Sequence, residues 1–436
     1  MPGVPRGRKR RRTSGTRTSL VGLALGLAGA LGLSGCGGKT AASIGSSTIA
    51  AQPPTVDVYS SLPLQGAASG QASAIVHGIQ LALAQSGGHA GRWTVDYRSL
   101  DDSTSAAGGW DPNQTTANAN QAAADPKAVY FIGDLDSAAS ELSIPILSRA
   151  GIAQVSPGSP YAGLTSAGPE SAPGEPARYY PTGVHNFMRL APADPVEAAA
   201  GLMAMRQAGC RTAALADDGQ LDGKALARAL TLEQGMYGVA VGPDSTVAPG
   251  VADVASYAAS LKTQDADCFY FAGGVSSTAV QLTAAVHEAL PHARIFGGSA
   301  LCTGAYTSAA LGGVPASIAP LVKCTLPTPD LDATPAGRAF LAAYRARFGA
   351  PDPMAAYGYE AMKLALGTIA HLGRRGESRA AVLRALVHAR PHASLLGRYS
   401  FRRDGDTTLR SYSIYGIGPG GMPRFLKTVT PPFTTG

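Results

Sequence analysis

Aromatic residues make up only 6% of this 436-residue chain, with 2 tryptophans among them. Core volume therefore has to come from aliphatic side chains, and the 54 glycines suit helices packed closely on sheets. Past residue 33 there is no apolar run long enough to cross a membrane. Nor is there a charge excess once the beginning of the chain is set aside. The whole chain carries 36 Lys and Arg against 29 Asp and Glu, but the first 35 residues hold seven of the basic residues and none of the acidic ones, which leaves 29 of each. That balance excludes a basic patch for nucleic acid. A G-x-S-x-G nucleophile elbow is absent, which removes the hydrolase signature. The eight histidines are scattered; His388 and His392 are four apart, but Pro391 between them spoils a helical metal pair. The dense glycine run at 416–421 opens no helix and is not a dinucleotide loop. No catalytic residue, cofactor or metal is expected.

What is present begins at the N-terminus. Arg6 to Arg12 read RGRKRRR, and an uninterrupted apolar run follows from Leu20 to Leu33. A basic segment before a short apolar one is the pattern of an export signal, residues 1–35. The run ends in Leu33-Ser34-Gly35-Cys36, which resembles the lipobox of bacterial lipoproteins and implies a lipid anchor on Cys36. Residues 36–54 are small and polar and read as a flexible tether.

The remaining cysteines fit an oxidising compartment. Cys210, Cys268, Cys302 and Cys324 form an even set, and three pairings are open. Cys210 and Cys268 each precede an apolar, strand-like run, so neighbouring parallel strands bring them together. Cys302 and Cys324 then close a second loop. Along the chain, strands and helices alternate. Val56–Ser60, Thr94–Arg98, Val129–Ile132 and Ile152–Val155 read as strands, and 71–85 as a helix with Ile75, Ile79 and Leu83 on one face. The Pro- and Gly-rich stretch 166–182 reads as a loop pinned by Tyr179 and Tyr180. Such alternation implies parallel sheets flanked by helices, with ligands bound where strand C-termini meet helix N-termini. About 400 residues after the signal suggest two domains.

Four stretches, in this order, resemble the type I periplasmic binding proteins, and in particular the branched-chain amino acid binding proteins of ABC importers. They are LPLQGAASGQ…GIQLAL at 62–83, YFIGDLDSAASELSIPILSRAGIAQVSP at 130–157, DPMAAYGYEAMKLAL at 352–366 and LGRYSFRRDGDTT at 396–408. The resemblance implies an α/β fold of two Rossmann-like lobes, 55–190 with 328–396 and 191–327 with 397–436. Three segments would cross between them, near 189–192, 326–330 and 396–398. It also implies capture of a small polar solute for a membrane permease, by a monomer that is not an enzyme; the same scaffold serves elsewhere as a ligand sensor.

The resemblance also implies a site. On the first lobe it consists of Ser69, of Asp136, Ser137 and Ala138 at a helix start, and of Gly158 and Ser159. Ser137 falls where relatives bind the ligand's carboxylate. On the second lobe it consists of Asp222, Gly274, Val275 and Ser299. Relatives hold the ligand's ammonium with an acidic residue where this chain has Ser299. That departure leaves Asp222 as the alternative charge partner and puts an α-amino acid ligand in question, with amides or hydroxy acids as other options.

Overall fold

The computed structural model describes residues 53–250 and 253–432. The expected export signal, the expected anchor at Cys36 and the expected tether up to residue 52 lie outside the described residues.

Two sheets organise the chain. The first has six strands, with the first strand, Thr55–Leu62, flanked by Trp93–Asp101 and Ala128–Ile132, then Ala153–Ser156 and Phe187–Arg189, and with His89–Ala90 at the other edge. All pairs are parallel except the edge pair His89–Ala90 with Trp93–Asp101. The second sheet has seven strands. Thr212–Asp217, Ala240–Thr246, Cys268–Ala272, Arg294–Gly297 and Val322–Leu326 are parallel, and Tyr412–Ile417 and Pro423–Val429 close it antiparallel. Central strands such as Ala128–Ile132 and Cys268–Ala272 are buried at every residue, as parallel strands covered on both faces must be.

Helices form where the sequence supplies start and stop signals. Asp111 caps Pro112–Ala124 by accepting from the Asn113 and Gln114 amides, and Thr334 caps Pro335–Phe348, each with proline in the first turn. Gly151 ends Ser137–Ala150 in the left-handed conformation. The expected helix at 71–85 is Ser69–Gln85, with Ile75 and Ile79 fully buried. It packs against Ala355–Leu372 with backbones nearly touching. A Cβ on Gly78 would lie 2.1 Å from the Ala355 carbonyl, and one on Gly358 would lie 2.0 Å from the Ile75 carbonyl.

Both expected disulfides are formed. Cys210 pairs with Cys268 across the adjacent strands Thr212–Asp217 and Cys268–Ala272, with Cα atoms 5.9 Å apart, and Cys302 pairs with Cys324 at 5.5 Å. Cys210, Asp267 and Cys268 are close enough to suggest a metal group, but both sulfurs are consumed in the bridge. Among the described residues no helix is long and apolar enough to cross a membrane.

The chain passes between the sheets three times. It leaves the first at Arg189 and enters the helix Asp194–Gln207 of the second; it returns after Leu326 to Pro335–Phe348; and it crosses again before Tyr412. This last crossing lies later than the 396–398 read from sequence. Leu396, Tyr399 and Phe401 still pack in the first core, and the Arg189 amide donates to the Gly405 carbonyl, so the turn at 402–406 belongs with the first lobe.

Two outcomes test this architecture. Gly358→Ala should lower the unfolding free energy by about 1 to 3 kcal/mol in urea titrations, because the added carbon meets backbone that cannot swing aside. Replacing Cys302 and Cys324 together by serine should cost on the order of 3 kcal/mol, the loop-closure value for a loop of this length, whose ends are 22 residues apart.

Candidate functional site: an acidic cleft

The C-terminal ends of both parallel sheets open onto one cavity of about 560 Å³. Its wall is made of the short segments that follow the strands. On the first lobe these are Pro63, Leu135–Asp136 and Gly158; on the second, Asp218, Gly273–Ser276 and Gly298–Ala300. This is where open α/β sheets present helix N-termini and unpaired amides to a ligand.

The two lobes touch across this cavity. Asp222, in the first turn of the helix Leu221–Tyr237, accepts through Oδ2 from the amide of Ser137, the first residue of Ser137–Ala150, at 3.0 Å. One carboxylate thus serves the N-terminal ends of two helices, one from each lobe, where the partial positive charge of both is concentrated.

Behind the first-lobe wall stands Arg189, fully buried at the first crossing. Its Nε is 2.7 Å from Asp406, Nη1 donates to the carbonyls of Ser159 at 2.9 Å and Tyr161 at 2.7 Å, and Nη2 donates to Thr165. Burial works against ionisation of Asp406, but the charge and hydrogen bonds of Arg189 and the Thr165 bond outweigh it and hold the carboxyl below its ordinary range. The loop at 158–165, the first crossing and the turn before the third crossing are all tied to one guanidinium.

Of the ten residues expected at the site, Asp136, Ala138, Gly158, Asp222, Gly274, Val275 and Ser299 line the cavity. Three do not. Ser69 stands aside while its neighbours Ala67, Ala68 and Gln71 form the wall. Ser137 is fully buried; its hydroxyl accepts from the Tyr161 amide, and its own amide goes to Asp222. Ser159 adopts a left-handed backbone, with φ of 46°, that turns its hydroxyl inward to Ser140 and the Asp134 carbonyl. Tyr179 and Tyr180 are buried away from the cavity; Tyr179 bonds Glu175 and Tyr180 bonds the Leu164 carbonyl, so they pin the loop.

Sequence reading missed three of the five carboxylates that line the cavity. Glu197, on the helix Asp194–Gln207, accepts from the Ser299 amide and from the hydroxyls of Ser299 at 3.1 Å and Thr325 at 2.6 Å. An acidic group therefore does stand at Ser299, supplied from another element. Asp194 lines the same cavity, is 1% exposed, and has no hydrogen-bond partner on either carboxylate oxygen. Asp218 accepts from the Gln220 and Gly274 amides and also lines the cavity. The available signal was Asp194 and Glu197 three apart at a helix start, a pattern equally suited to stabilising the helix dipole.

This crowding disturbs ionisation. Burial, then the neighbouring Asp222, Asp134 and Asp218, push Asp136 up to about 8. Burial, aided by Asp218, pushes Asp222 up to about 6 against the hydrogen bonds from Ser137 and the opposing charge of Arg189. Asp194, Glu197 and Asp218 are raised in the same direction, in each case chiefly by burial. Among the described residues no lysine, arginine or histidine lines the cavity.

Two α/β lobes, joined by three crossings and meeting over a cavity of helix N-termini and strand ends, define a cleft-binding protein for small solutes. The chain belongs to the periplasmic binding protein family, whose sequence profile, described as "Periplasmic binding protein", matches residues 60–421. Among solved structures it is similar to a solute-binding protein of an ABC transporter from R. palustris in complex with benzoate, with a TM-score of 0.70 and 21% identity over 86% of this chain and 97% of that one. A leucine binding protein, LivK, from Thermotoga maritima MSB8 gives 0.70 and 18% over 86% and 99%. The branched-chain amino acid binding protein LivJ from Streptococcus pneumoniae, in complex with isoleucine, gives 0.71 and 16% over 86% and 100%. Identities this low establish the shared fold. No curated protein matches the chain.

The raised carboxyls give the ligand-free protein a defined pH response. Asp136 and Asp222 hold protons in the folded state at pH values where an unfolded chain, near 3.9, has lost them. Their contribution to stability is therefore fully present below about pH 4 and is lost as pH rises toward 8. Asp136→Asn should raise the urea midpoint relative to wild type at pH 8, and the difference should shrink toward pH 4. Asp406→Asn should do the opposite, costing about 3 to 5 kcal/mol at neutral pH by leaving Arg189 buried without its charge partner.

Proposed function

We propose that the chain is the lipid-anchored, extracytoplasmic binding subunit of an ABC importer, that it captures a small polar solute between its lobes, and that it performs no chemistry on that solute. The observation that carries this reading is the Asp222–Ser137 contact across a solute-sized cavity. A ligand that bridges the same two helix N-termini favours the closed arrangement by its differential affinity for it, and the closed form is what a permease would read. The division into lobes follows the crossings at 189–194, 326–335 and the segment before 412. The family membership and the transporter-associated relatives support import, and the lipobox-like tetrad ending in Cys36 supports anchoring by lipid to the outer face of the cell membrane. The serine hydroxyls near the cleft are engaged within the protein: Ser137 and Ser159 spend theirs on backbone and on Ser140, and Ser299 donates to Glu197, which Thr325 also holds.

A thermal-unfolding screen against amino acids, amides, organic acids, polyamines and sugars tests capture. A bound solute at about 100 times its dissociation constant stabilises the fold by roughly 2.7 kcal/mol, a clear rise in melting temperature. Anchoring is tested by fatty-acid labelling in a bacterial host, where Cys36→Ala should abolish the label and release the protein from the membrane fraction; a variant that stays labelled refutes the anchor.

A further inference from the structure

We propose that the cleft takes a small organic cation, an ammonium or guanidinium on an apolar stem, in place of a zwitterionic amino acid or an aromatic acid. This rests on the solute-capture reading above and specifies its substrate class.

The cavity wall carries Asp136, Asp194, Glu197, Asp218 and Asp222 and, among the described residues, no cationic side chain to balance them. Three of these carboxylates, Asp218, Glu197 and Asp222, are partly or wholly satisfied from within the protein, and Asp136 makes no side-chain bond to the helix it precedes. Asp218 and Glu197 take backbone amides and hydroxyls, Asp222 takes the Ser137 amide through one oxygen only, and Asp136 stands half-buried beside them. Asp194 is different: both of its oxygens are buried in the wall without any partner, and the second oxygen of Asp222 shares that condition. Protein interiors seldom leave an acid so, because the desolvation is uncompensated. A ligand cation placed against Asp194 and Asp222 supplies the missing charge and donors together.

The opposite ligand chemistry is disfavoured by the same atoms. The Ser137 amide, the donor an incoming carboxylate would need, is already held by Asp222. An anion would have to break that contact and then sit among five acids. Nor is a bare metal ion the occupant. Among the described residues the cavity acids do not form a group of three with oxygens within 4.8 Å of one another, whereas the Cys210 cluster does. Spread charges suit an extended cation. The rest of the wall agrees: the aromatic residues Trp110 and Tyr412 and the apolar Leu135, Leu226 and Met354 line it and suit a stem.

Isothermal titration calorimetry on the purified chain separates the possibilities, with agmatine, spermidine and choline as cations, L-leucine and L-isoleucine as zwitterions, and benzoate and 4-hydroxybenzoate as anions. Binding by one or more cations, stronger than by any zwitterion or anion and weakened at least about tenfold in a folded D194N chain, is the expected result. Cation binding that D194N leaves unchanged overturns the assignment. Binding by zwitterions or anions alone also overturns it while leaving solute capture intact. A flat response from a folded sample to all three classes removes both.

Discussion

The buried ion pair of Arg189 and Asp406 is the constraint on which the geometry of the cleft depends. Arg189 ends the last strand of the first sheet, at the point where the chain departs for the second lobe. A guanidinium cannot shed its charge, so burying it obliges the surroundings to provide oxygens. Asp406, Thr165 and the carbonyls of Ser159 and Tyr161 meet that obligation. In doing so they fix the loop at 158–165 and hold the turn at 402–406 against the strand Phe187–Arg189. The left-handed turn at Ser159, which directs its hydroxyl inward, is a local consequence of the same demand.

Against that balanced pair the cleft stands unbalanced. Acids from two helices and two strand ends converge on a cavity that no basic residue among the described ones lines, and burial with mutual repulsion raises their proton affinity. A site that lowers the stability of the ligand-free protein is what a binding protein gains from, because the relief of that strain by a complementary solute appears as affinity and as closure together. The hydrogen bond across the lobes, from the Ser137 amide to Asp222, shows how the protein meets part of this demand alone: a side chain of one lobe occupies the helix terminus of the other.

Much of the fold was legible in the sequence because it rests on local rules. Buried parallel strands appear as short apolar runs, and their order against helical segments implied the parallel sheets. Cys210 and Cys268 precede two such runs, and the strands proved to be hydrogen-bonded neighbours. The proline-rich stretch at 166–182 marked a loop through backbone chemistry alone. The site was legible only in part. Asp136, Gly158, Asp222 and Gly274 line the cavity at positions that the family resemblance implied. Glu197 and Asp194 were not implied; they sit on a helix whose sequence is equally well explained by its dipole.

The amino-acid sequence by itself determined the export-signal pattern, the alternation of strands and helices, the charge balance beyond residue 35 and the family, since each depends on composition or on spacing along the chain. Only the tertiary structure decided which carboxylates share the cleft, which hydroxyls are spent inside the first lobe and where the third crossing falls. The reason is physical. Ser299 and Glu197 are far apart in sequence, as are Ser137 and Asp222, and whether such groups meet is settled by the packing of helices and crossings around Arg189, which no local pattern encodes.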